Sequence, residues 1–212
     1  NAQLQKDPKE LSVEELLYAA TLTDDANAQE NIYKTTTEVY PNDARAYNNI
    51  ATIEYAKGNY DVAKQYAQKA LAVNASNGEA NANLGLIALK QGDVKAAENY
   101  IAKAGNANGV SEVLGNLHLA QGKYAQAEQD FGKTVSNSAA LAQLLNKNYQ
   151  AAAQTLSNIK NGDATTDYLK AVLYARQGNN SAAATALKSA ISKDSSYASY
   201  AANDLELSKV SK

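Results

Sequence analysis

The 212-residue chain has no cysteine, methionine or tryptophan, one histidine, one phenylalanine and two prolines. Without thiols there are no disulfides, thiolate nucleophiles or Cys-ligated metals, and the compartment stays open, since a cysteine-free chain suits cytoplasm and periplasm equally. With His118 the sole imidazole, a His-based metal set lacks its second ligand. No apolar run approaches the roughly eighteen residues that a membrane-spanning helix needs, and the first residues carry no signal-peptide pattern. Lys and Arg number 20 against 22 Asp and Glu, interspersed along the chain. With no basic run, the electrostatic footprint of a nucleic-acid binder is missing. Asn at position 1 and the absence of Met give the expectation of a mature or excised piece of a longer protein.

What is present points to helix. Hydrophobic residues make up 45% of the chain, ample for a buried core. Ala, Asn, Gln and Lys are abundant, Val/Ile clusters are scarce, and no stretch alternates with period 2. The glycines mark a repeat. Gly58 and Gly92 are 34 residues apart, and Gly122 follows after 30. The equivalent position then falls on Lys147 after 25 residues and on Gly178 after 31 more. Each glycine separates two helical patterns: Tyr47, Ile50, Ala51 and Glu54 before Gly58; Tyr60, Ala63, Ala67 and Ala70 after it. A glycine can end a helix by taking positive φ, and Asn59, Asp61 and Asp93 suit the start of the next helix. Ala63, Ala97, Ala127 and Ala183 share one repeat position and Ala70, Ala104 and Ala190 another, where small side chains let paired helices approach.

This pattern resembles the tetratricopeptide repeat, a 34-residue helix-turn-helix unit. The match is strongest in AYNNIATIEYAKGNYDVAKQYAQKALAVNAS and ANANLGLIALKQGDVKAAENYIAKA, through Leu84-Gly85, Gly92, Ala97 and Ala104, with Pro41 where that family ends a unit. The resemblance implies an all-α, right-handed superhelical solenoid of about six helix pairs, a single domain over 1–212. The units fall at about 10–43, 44–77, 78–109, 110–137, 138–162 and 163–196, with a capping helix at 197–209. The fifth unit is short, with a first helix of only about 138–145. The loops 105–110 and 160–165 flank the shortened units and suggest a bend between two half-solenoids.

Five strings are more particular: DPKELSVEELLYAATLTDD, VYPNDARAYNNIA, LGNLHLAQGKYAQA, DATTDYL and DLELSK. They are similar to the C-terminal repeat region of OmpA-like envelope proteins of Gram-negative bacteria, often lipoproteins. That resemblance implies a periplasmic or cell-surface location, with an anchor supplied by a preceding segment; the composition is equally compatible with cytoplasm. It brings no catalytic residues with it.

A catalytic reading has little to use. His118 occupies a position that places a packing aromatic in other units, as at Tyr174, and acid–base work needs a positioned partner. Adjacent acids such as Glu14-Glu15 face different sides of a helix. FGKT at 131–134 ends like a phosphate loop but has Ala127 where that loop needs glycine. No enzyme activity, cofactor or metal is expected. The fourteen tyrosines are mostly packing residues: Tyr60, Tyr124 and Tyr149 share a position after the turn, and Tyr47 and Tyr174 belong between helices.

In the family resembled, the first helix of each unit lines a concave groove through its second, fifth, ninth, twelfth and thirteenth positions. Here these are Arg45, Asn48, Thr52, Tyr55 and Ala56 in the second unit, and Glu79, Ala82, Leu86, Leu89 and Lys90 in the third. The fourth contributes Glu112, Asn116 and Leu119, and the first Tyr18. Asn49 and Asn83 match the asparagine of a carboxylate-gripping subgroup, without its Lys and Arg companions; the alternative is that they satisfy neighbouring groups. Such a groove suits a protein or peptide partner, with Asn amides bonding a peptide backbone and tyrosines supplying contact area. The competing reading is a structural spacer or self-association module for a neighbouring domain, and a groove filled by the chain's own terminal segment would favour it. Neither nucleic acid nor direct membrane insertion is expected, and the sequence leaves the oligomeric state open.

Overall fold

The computed structural model of the chain describes residues 6–208 and 210. Thirteen α-helices and a short 3-10 turn at Pro8–Glu10 make up the described residues, with no strand among them. The helices form six consecutive pairs: α1 (Val13–Thr21) with α2 (Ala26–Val39), α3 (Ala44–Ala56) with α4 (Tyr60–Val73), α5 (Gly78–Lys90) with α6 (Val94–Ala104), α7 (Val110–Ala120) with α8 (Tyr124–Phe131), α9 (Asn137–Leu145) with α10 (Tyr149–Asn158), and α11 (Ala164–Arg176) with α12 (Asn180–Lys193). A short α13 (Tyr197–Asn203) follows. No described helix is long and apolar enough to cross a membrane.

The repeat turn has one geometry, written five times. Gly58 takes φ +83°. Its N–H donates to the Tyr55 carbonyl at 3.0 Å, and the Asn59 N–H donates back to Glu54 at 2.9 Å. These two bonds satisfy carbonyls that the end of α3 would leave bare. The same pair recurs at Gly92, Gly122 and Gly178. It recurs too at Lys147, which takes φ +62° where the other repeats use glycine. The next helix then starts on a side-chain cap: Asp93 accepts from the Ala96 N–H at 2.9 Å, and Asn148 and Asn179 do likewise in their repeats. Lys123 and Asn59 make no such cap. The Asn59 amide instead donates to the Glu54 carboxylate at 2.9 Å.

Alanine sets the spacing within each pair. Ala63, Ala97, Ala127, Ala152 and Ala183 occupy one register position, and all are completely buried. Ala70 and Ala190 are completely buried at a second position, and Ala104 nearly so. A methyl there fills the gap between two close helix axes, and a larger group would force them apart. Gly115 carries this further, since a Cβ on it would sit 2.7 Å from the Phe131 ring.

The described chain separates into two compact units, Asn1–Val113 and Leu114–Lys212, dividing within α7. In unit one, Ala20, Tyr33, Ala46 and Ile50 form one core cluster and Ala51, Ala67 and Leu84 another. In unit two the largest cluster joins α9, α10, α11, α12 and the terminal segment through Leu144, Leu156, Leu173, Leu187, Ala201 and Leu207. The terminal segment is shorter as a helix than the expected 197–209. It is helical from Tyr197 to Asn203 and continues in turns that bring Leu207 into the core. Lys209 lies outside the described residues.

Candidate functional site

The first helices of the pairs in unit one are α1, α3 and α5. They present a strip of partly exposed side chains at the ninth, twelfth and thirteenth register positions. Tyr18 is 60% exposed and Leu22 55% exposed. Tyr55, Leu86 and Leu89 are half-buried, and Thr52, Ala56 and Lys90 are exposed. Burial lifts the Tyr55 hydroxyl to about 12, with a smaller push from Tyr60, whose ring lies tilted 5.4 Å from it. Tyr55 is therefore a neutral donor at any physiological pH.

The earlier register positions of the same helices are structural. Asn48 is only 3% exposed. Its amide donates 3.0 Å to the Asn77 side-chain oxygen, which also caps α5 by accepting from the Ala80 N–H at 2.9 Å. Asn48 is thus withdrawn from the surface, against its expected role as a groove contact; the reason is that an asparagine here ties one repeat to the helix cap of the next. Unit two repeats the device: Asn137 donates 3.0 Å to Asp163, the cap of α11. Ala82 is likewise buried. Arg45 is exposed, but its guanidinium is engaged by Asp43 at 2.7 Å and Glu14 at 2.9 Å, which raise its pKa further. The Thr52 hydroxyl donates to the Asn48 carbonyl at 3.1 Å. Asn49 and Asn83 are half-buried, and their amides bond no other described residue, so they do not satisfy neighbouring groups as one reading expected. Glu79 and Glu112 are exposed in unit one; Asn116 and Leu119 are half-buried in unit two.

In unit two the same strip on α11 is already covered, by the chain itself. Thr165, Tyr168, Val172, Ala175 and Arg176 hold the register positions of Arg45, Asn48, Thr52, Tyr55 and Ala56. The Thr165 hydroxyl meets the Tyr197 hydroxyl at 2.6 Å. The Tyr168 hydroxyl donates to Asp204 at 2.7 Å, with its ring 4.9 Å from that of Tyr197. Burial and then the Asp204 carboxylate push the Tyr168 pKa well above its usual range. Arg176 grips Glu206 through three contacts of 2.7 to 3.0 Å and donates to the Leu144 carbonyl at 2.9 Å. Leu207 is fully buried beside them, while Leu205 is 92% exposed. No periodic signal marks this arrangement. Its only trace in the sequence is the acidic and apolar alternation of Asp204, Leu205, Glu206 and Leu207.

His118, which showed no partner in the sequence, has one in the fold: its Nδ1 lies 2.5 Å from the Asp130 carboxylate on α8, both side chains partly buried. The pair ties α7 to α8. Among the described residues no group of three or more His, Asp or Glu side chains gathers to hold a metal.

A tetratricopeptide repeat family model matches residues 48–111. No curated protein matches the sequence. Among solved structures, the Cut9–Hcn1 hetero-tetramer of the anaphase-promoting complex is similar over 99% of this chain, with 16% identity and a TM-score of 0.73. The chain spans 43% of the length of that protein. A tetratricopeptide repeat protein from Parabacteroides merdae aligns over 94% of this chain and 84% of its own, with 15% identity and a TM-score of 0.61. The Pseudomonas aeruginosa protein pilF aligns over 96% of this chain and 98% of its own, with 16% identity and a TM-score of 0.60. At these identities the likeness is one of fold.

Proposed function

We propose that the chain, whose fold is that of tetratricopeptide-repeat proteins and which matches that family's model over residues 48–111, is a non-catalytic scaffold that recruits a protein or peptide partner on the strip formed by α1, α3 and α5. The observation that carries this reading is the contrast between the two units. On α11 the strip is sealed by the terminal segment; on α1, α3 and α5 it is open, with Tyr18 60% and Leu22 55% exposed beside Tyr55 and Leu86. Tyrosine is among the residues enriched as interface anchors, and apolar side chains left wet side by side on one face mark an interaction surface. Asn48 has no direct part in this reading, because its amide is spent on Asn77.

The test is capture from cell-envelope extract on immobilised chain, wild type beside a Tyr18→Ala/Leu86→Ala variant. A partner retained by the wild type and lost by the variant is the expected result. Equal retention by both moves the working surface elsewhere. The resemblance to OmpA-like envelope proteins extends the proposal to a periplasmic or cell-surface location, which fractionation of the source cell checks.

A second reading has an observation of its own. The sealed face of α11 is what a spacer needs: an end that resists sticking to its neighbours. On this reading unit two is structural and recruitment belongs to unit one. A chain that retains nothing, yet changes the placement of an adjoining domain when deleted, would make the spacer role the whole function.

A further inference from the structure

The open strip of unit one and the closed strip of unit two share a register, so the segment that closes one describes the chemistry that fits the other. On α11, position thirteen is Arg176, which holds the Glu206 carboxylate. Position nine is Val172, buried, and Leu207 is fully buried in the same cluster. On α5, position thirteen is Lys90, exposed and without an ion-pair partner among the described residues. Position nine is Leu86, left half-buried. Position twelve of the preceding first helix is Tyr55 in unit one and Leu144 in unit two, where the Leu144 carbonyl also receives Arg176. A cation and a leucine thus stand ready on α5 at the positions where α11 has a cation and an apolar side chain already engaged.

We propose that the α3–α5 face binds an acidic–leucine segment of a separate partner protein, its carboxylate on Lys90 and its leucine against Leu86 and Tyr55. This deepens the recruitment reading and rests on it. The argument is charge complementarity plus an internal precedent. Arg176 satisfies an acidic side chain next to a leucine that buries completely. Lys90 has the same position and sign with nothing on it. An ammonium is a point charge and an imperfect copy of a guanidinium fork, so the partner's carboxylate is held by one contact where Glu206 is held by three.

The probe is a fluorescent peptide with the sequence of residues 200–208, YAANDLELS, titrated onto the full chain and read by anisotropy. The expected result is saturable binding, weakened at least tenfold by Lys90→Glu and unaffected by Lys103→Glu, a control on the exposed side of α6. Lys90 is exposed, so the variant's thermal melt should match the wild type. A peptide carrying Glu206→Lys should bind the Lys90→Glu chain better than the wild-type chain, a reversal that general stickiness does not produce. No binding, or binding indifferent to Lys90→Glu, overturns the proposal; indifference assigns the peptide to exchange with the resident segment on α11. Self-association of the chain that Lys90→Glu abolishes would also overturn it, because the occupant would be a second copy's terminal segment. If the envelope partner is captured and lost with Tyr18→Ala/Leu86→Ala while the peptide fails, the recruitment reading stands and only the acidic–leucine chemistry falls.

Discussion

Two single residues depart from what the repeat makes cheap, and each gives a measurable consequence. Lys147 holds φ +62° at a turn where the other repeats place glycine. A side chain in the left-handed region costs about 1 kcal/mol, so Lys147→Gly should stabilise the chain by about 0.5–1 kcal/mol in urea unfolding, the looser unfolded chain taking back part of the gain. Loss of stability would mean that the Lys147 side chain makes a contribution its backbone conceals. Glu30 is the second case. It is buried on α2 among Lys34, Lys57 and Glu54. Burial alone would raise its pKa, but hydrogen bonds donated by Lys34 and Lys57 outweigh that and bring it from an ordinary 4.5 to about 2. Folding therefore favours the ionised form, and the stabilisation is complete above about pH 4.5 and lost as pH falls through about 2. Urea midpoints measured between pH 5 and pH 2 should drop for the wild type and drop less for Glu30→Gln, which lacks the titrating group. Equal slopes would remove Glu30 from the acid transition.

At the scale of the helix, caps do two jobs at once. The Asn77 side-chain oxygen ends the unsatisfied amides at the start of α5 and receives Asn48 from α3. Asn77→Ala removes a cap and strands a buried amide together. The expected loss is about 1–3 kcal/mol, with Asn77→Asp recovering much of it, as Asp163 performs both jobs at the start of α11. A loss below about 0.5 kcal/mol would show that Asn48 finds water when its partner is removed. The helix pairs themselves were legible in the sequence, because the glycine spacing and the alanine register report a local geometry that each repeat must reproduce. Asn48 was not legible as an interior residue. Its register marks a groove, and what draws it inward is a cap oxygen 29 residues away.

At the scale of the molecule, nearest-neighbour stacking makes damage local. Leu207 is fully buried in the cluster that joins α9 to α12 and the terminal segment. Leu207→Ala should cost about 2–4 kcal/mol and raise hydrogen exchange in α11 and α12, while amides of α3 and α4 keep their protection. Uniform loss of protection across both units would mean that they unfold as one. The helical class, six pairs in their approximate places, the close-packed alanine positions and the absence of thiol chemistry are all readable from composition and periodicity. Each of these follows from composition or from contacts within about one repeat. Which register positions stay open depends on how the folded chain packs. The groove register is shared by α3, α5 and α11, and it is the terminal segment, returning about 30 residues along the chain to place Glu206 on Arg176 and Leu207 in the core, that closes one strip and leaves the other exposed. A periodic sequence states the rule for every repeat; the exception lies in a non-local contact, and that has no period.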